Sequence, residues 1–186
     1  GDPRLSSVQA AAQASAWGTC LARSVNPRSL DVAYQRAWCA YNLDRQLEAI
    51  ALFAAVLDSR LGRDVKQDAR YGLTLALVGR QMTEEAARVA AAGDLSFDQR
   101  NTVERIILDQ RAVAAFAAGD FPRAIAYLDA LEEMGALRRD LDILRAYAYL
   151  RVGQRVRARE AFRRLDEELS TPETRAGLEA TPPSGP

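Results

Sequence analysis

AVAAFAAGDFPRAIAYLDAL, residues 112–131, reads as two helices folded back on each other. Small and aromatic residues run at helical spacing up to Gly119, which stops the first helix. Asp120 then offers a cap, and Pro122 sits in the first turn of the second helix, where its missing N–H costs nothing. Ala124 follows five residues after Gly119, Leu128 four beyond that, then Leu131. An alanine at the crossing lets two helices approach closely, and a large apolar residue one turn later fills the space beside it.

The same phrase recurs. It reads Gly153, Ala158, Phe162, Leu165 in one direction, and Asp44, Ala49, Phe53, Val56 in the other. A fainter copy around Gly79 reaches Ala86 two residues late, so its second helix is expected out of register. A period in the mid-thirties marks stacked helical hairpins, each covering the apolar face of the last. Ten helical segments follow, over about 5–23, 27–42, 46–60, 64–78, 83–92, 97–118, 121–134, 141–152, 155–168 and 172–180, with no strand. Asn26-Pro27, Asp64 with Gln67, Thr83, Ser96 with Gln99, Asp120 and Thr171-Pro172 supply start signals. The expected organisation is one domain over 1–180. Within it, 5–26 is a half-repeat helix, 27–168 carries about four repeats, and 172–180 is a capping helix. A disordered tail or linker follows at 181–186.

These units resemble the tetratricopeptide repeat. The stretch 112–131 matches through Ala112, Gly119, Phe121, Ala124 and Leu128. The stretch 146–165 matches through Ala146, Gly153, Ala158 and Phe162, and 37–56 through Ala37, Ala49 and Phe53. The resemblance implies an all-α solenoid of antiparallel hairpins winding as a right-handed superhelix. It further implies a non-catalytic scaffold holding a protein or peptide segment in a concave groove. Carried over by position, Tyr34, Trp38 and Tyr41 face that groove from the first full repeat, Asp109, Val113 and Phe116 from the third, and Ile143, Tyr147, Leu150 and Arg151 from the fourth. The first three lie at i, i+4 and i+7 on one helix face. Either they anchor a ligand or they pack against the next helix. Some relatives capture a C-terminal carboxylate with lysine and asparagine where this chain has Tyr34 and Trp38, which disfavours that role. A second reading is a bacterial periplasmic module of an exopolysaccharide export assembly, similar to the cellulose synthase C subunit. The truncated first repeat, the proline-rich end and the preference for arginine motivate it. Helix 1, with no hairpin before it, is the candidate edge for self-association.

Composition excludes more than it assigns. Apolar residues make up 48% and net charge is zero, 25 basic against 25 acidic, so bulk electrostatics gives no pull toward nucleic acid. Histidine is absent, which removes the usual proton shuttle and the commonest metal ligand. No nucleophile–base pair, phosphate loop, metal-ligand cluster or cofactor motif is legible, so catalysis, a metal and a cofactor are not expected. No run approaches a membrane span, and no leader is visible, though a chain opening on Gly1 gives that little weight. Lys66 is the only lysine, which reads as coding bias. Cys20 and Cys39 are expected to be buried and unbridged, because a hairpin turning near Asn26 sets Cys20 level with residue 32. Nine arginines crowd residues 138–164. They read either as an anion-docking face or as a solvated face of helical ion pairs such as Glu160 with Arg164, Arg163 with Glu167 and Arg164 with Glu168.

Overall fold

Alanine-rich stretches with small residues at regular intervals fold, in the computed structural model, into helices joined by one recurring turn. Residues 1–185 are described, and among them there are eleven α-helices and no strand. The chain clusters into two compact units divided between Ile107 and Leu108. The first contains α1 (Leu5–Gln13), α2 (Trp17–Arg23), α3 (Leu30–Asn42), α4 (Gln46–Leu57), α5 (Arg63–Gly79) and α6 (Thr83–Ala91). The division falls inside α7 (Phe97–Ala117). The second unit contains α8 (Phe121–Glu133), α9 (Arg139–Arg151), α10 (Arg155–Glu168) and α11 (Pro172–Ala180). In both units each helix packs on its neighbour. The leading helices of successive hairpins also touch, α3 on α5 and α9 on α11.

The turn is the organising element. At Gly119 and Gly153 the backbone is left-handed, with φ of 77° and 83°. The N–H after each reaches back five residues to a helical carbonyl, Asp120 to Ala115 at 2.9 Å and Gln154 to Tyr149 at 2.8 Å, which closes the helix end. Asp44, with φ 60°, makes the same turn without glycine, Arg45 bonding back to Ala40 at 2.8 Å. So does Gln81, at φ 59°, with Met82 bonding to Leu77 at 3.0 Å. This corrects the expected slip around Gly79. The turn residue is Gln81, and Ala86 lies five residues on, fully buried, with Ala90 four beyond. A further copy sits at Ser15, φ 56°, with Ala16 bonding to Ala11 at 2.9 Å. The segment read as one helix over 5–23 is therefore two, α1 and α2, folded as a short hairpin. Cys20 takes the alanine position and Ser24 the next one.

Other start signals divide. Ser96 and Gln99 exchange side-chain and backbone bonds at 3.1 and 3.0 Å. Asp120 accepts from the Arg123 N–H, and Thr171 forms a capping box with Thr174. Asp64 caps nothing, because α5 begins one residue before it behind Gly62. Asn26 is left-handed, at φ 48°, and Ser29 caps α3 instead.

That later start matters for the cysteines. Cys20 and Cys39 are joined by a disulfide, Cα–Cα 6.2 Å, and both are fully buried. The expectation of unbridged thiols fails because it placed the helix start at residue 27. Beginning α3 at Leu30 slides its C-terminal half toward Cys20, whose sulfur also lies 3.8 Å from the Gln35 carbonyl.

Large side chains close each stack. Phe53 and Phe162, both 0% exposed, occupy the same place in their hairpins. Each ring lies on a glycine of the next helix. A Cβ on Gly72 would meet the Phe53 ring at 2.4 Å, and one on Gly177 would meet Phe162 at 2.3 Å. Of the expected tail, Thr181 is buried and its carbonyl accepts from Arg159 at 2.6 Å. Pro186 lies outside the described residues.

Candidate functional site

The α3 stripe is where partly exposed rings gather. Tyr34, Trp38 and Tyr41 are all partly buried, and α5 brings Asp68 and Tyr71 beside them. The Trp38 indole Nε1 donates to Asp68 Oδ2 at 2.9 Å, and the Tyr34 hydroxyl donates to the same oxygen. Gln99, in the first turn of α7, approaches Asp68 Oδ1 at 3.4 Å. Trp38 stands edge-on to Tyr41 at 5.7 Å and to Phe53 at 4.9 Å, and is tilted against Tyr71 at 6.3 Å. Burial, together with the bond to the Asp68 carboxylate, raises the Tyr34 phenol well above its ordinary range. Burial chiefly raises that of Tyr41 as well. Both stay neutral donors at physiological pH.

Internal packing therefore accounts for part of the stripe. One edge of Trp38 belongs to the core through Phe53, while its indole N–H and the flanking tyrosines edge a half-exposed surface. Sequence reasoning missed Asp68, Tyr71 and Gln99. The signal existed: 37 residues separate Asp44 from Gln81, and the same interval separates Tyr34 from Tyr71. Placing the turn at Gly79 hid that correspondence.

The remaining expected groove residues belong to the other unit and meet different ends. Asp109 pairs with Arg138 at 2.5 Å. Val113 is 47% exposed. Phe116 stacks edge-on with Phe121 at 5.1 Å, and the Arg151 guanidinium lies 4.5 Å from the Phe121 ring centre. Tyr147 packs on Phe162 at 4.7 Å and donates its hydroxyl to the Glu173 carbonyl at 2.6 Å, so it serves the α9–α11 contact. Ile143 and Leu150 pack against the same core.

The arginine-rich segment is absorbed by structure. Arg139 donates to the Leu165 and Leu169 carbonyls, Arg155 to Ala180 and Arg159 to Thr181, closing the ends of α10 and α11. Arg138 pairs with Asp109 and Asp140, Arg163 with Glu167, and Arg164 with Asp142 and Glu168. Arg157 covers the Tyr149 ring at 4.4 Å, and Arg145 is buried among carboxylates. With Arg151 on Phe121, all nine have internal partners. The ion-paired face is the reading supported, although Glu160 is not among the pairs.

Elsewhere in the first unit, a hollow of about 370 Å³ is lined by Leu57, Lys66, Arg70 and Asp94 among others. Three of its charged residues are engaged, Arg63 with Asp94 at 2.6 Å and Arg70 with the Val89 carbonyl at 2.8 Å. Among the described residues there is no cluster of metal-ligating side chains, and no helix long and apolar enough to cross a membrane.

No protein-family model and no curated protein matches this chain. A crystal structure of a tetratricopeptide repeat protein from Parabacteroides merdae ATCC 43184 is similar over 97% of this chain and 86% of that one. The identity is 15% and the TM-score 0.44.

Proposed function

We propose that the chain is a non-catalytic scaffold that holds a protein or peptide segment against the α3–α5 face of its first unit. The observation that carries this is the partly exposed cluster of Tyr34, Trp38, Tyr41 and Tyr71, in which Tyr34 and Trp38 share one carboxylate and Tyr41 and Tyr71 stand against Trp38. Rigid amphipathic rings lose little entropy on binding, and tyrosine and tryptophan dominate binding hot spots. Tyr41 and Tyr71 are the residues to test, since Trp38 also supports Phe53. Dodecapeptides selected from a displayed random library on the full chain are expected to bind Tyr41→Ala and Tyr71→Ala about tenfold more weakly, with helix content by circular dichroism unchanged. Equal affinity for both variants sinks this site.

The Cys20–Cys39 bridge favours a second statement, about location. Buried disulfides persist in oxidising compartments, so the bridge supports work in a space such as the bacterial periplasm, and leaves an exopolysaccharide role as a finer reading of the same idea. Thiol titration of the denatured, unreduced protein from its native host is expected to find none. Two thiols would place the protein in a reducing compartment.

A further inference from the structure

Resting on the scaffold reading, we propose that the α3–α5 face selects a partner segment carrying an arginine or lysine side chain, which docks on Asp68 between aromatic rings. Asp68 is partly buried, and every bond it accepts within its unit comes from a neutral group: the Tyr34 hydroxyl, the Trp38 indole and the Gln99 amide. No guanidinium or ammonium of residues 1–107 ion-pairs with it. Elsewhere in this unit the partly buried acids take a cation: Asp2 pairs with Arg4 and Glu48 with Arg36. A carboxylate offers about four acceptor positions. Two donors converge on Oδ2, while Oδ1 holds only the long contact from Gln99, so that oxygen has room for an incoming charged donor. Trp38 donates to the same carboxylate, Tyr71 follows Asp68 by three residues on α5, and both Tyr41 and Tyr71 stand against Trp38, so ring surface adjoins the carboxylate and can receive a cation. Neutral donors orient the carboxylate and leave its charge uncancelled, so a positively charged side chain from outside supplies the missing counter-charge.

The test uses the displayed dodecapeptides selected on the full chain. Enriched peptides are expected to carry arginine or lysine between apolar residues. Replacing that arginine with neutral, near-isosteric citrulline is expected to weaken binding about tenfold, the scale of one charge-assisted bond. On Asp68→Asn, which still accepts from Tyr34 and Trp38, the arginine and citrulline peptides should bind alike. Peptides that depend on Tyr41 but bind equally well as arginine and citrulline forms overturn the cation assignment and leave the scaffold reading standing. Failure to recover any Tyr41-dependent peptide overturns both. If Asp68→Asn does not fold, the citrulline comparison on the parent protein decides alone.

Discussion

The two units pack their hairpins alike and secure them differently. In each, a buried phenylalanine lies on a glycine of the next helix, Phe53 on Gly72 and Phe162 on Gly177. The first unit then ties α2 to α3 with the Cys20–Cys39 bridge. The second ties α9 to α8 and α10 with charge. Arg145, its side chain 9% exposed, reaches Asp129 at 2.9 Å and Glu132 at 2.7 Å, while Asp142 stands 3.8 Å away and also receives Arg164. Burying a guanidinium is costly, and here its Nε has no partner. A covalent tie constrains the unfolded chain and ignores pH. An ionic one works only while its acids are ionised, and its net contribution is smaller.

The shared packing carries the largest expected effect. Phe53→Ala and Phe162→Ala should each cost about 3–5 kcal/mol, because each ring is fully buried and leaves a large void. Chemical denaturation read by unit-resolved hydrogen exchange checks this. A cost confined to one of the two variants breaks the equivalence. Reducing the disulfide comes next. Opening a loop of this size should cost the first unit about 3 kcal/mol, with exchange in α9–α11 unchanged. Equal loss in both units would show that they unfold as one.

The smallest effect is acid sensitivity in the second unit. The bond from Arg145 holds the Glu132 carboxyl below its ordinary 4.5. A lowered folded value means that the stabilisation is fully present above pH 4.5 and is lost as pH falls through the folded value. Glu132 is half-exposed, so solvent screening limits the effect to under about 1 kcal/mol. Glu132→Gln should remove that part of the acid slope in a thermal melt series. An unchanged slope would show that the other acids around Arg145 carry it.

Much of this was legible in residues and some was not, for one physical reason. Glycine announces a left-handed turn, so Gly119 and Gly153 could be placed, and Asp44 followed by analogy. Ser15 and Gln81 take the same backbone shape without announcing it. Missing Ser15 fused α1 with α2, and missing Gln81 shifted a hairpin by two residues and concealed Tyr71. Reading α3 from Pro27 rather than Leu30 misplaced Cys39 relative to Cys20. Asp68 was beyond reach for a different cause. Nothing local distinguishes it from any helical acid until α3 and α5 lie side by side. The arginine preference, read as coding bias, has a structural use: forked guanidiniums close helix ends at Leu21, Val89, Leu165 and Ala180.

Ser15, Asp44, Gln81, Gly119 and Gly153 have no chemistry in common; what they share is a positive torsion. Selection on such a joint acts on a dihedral angle and is nearly blind to which side chain occupies it, at a penalty of roughly 1–2 kcal/mol for a residue with a Cβ. Two proteins can therefore inherit the same bend while their spelling drifts apart, and kinship between them survives longest in their backbones.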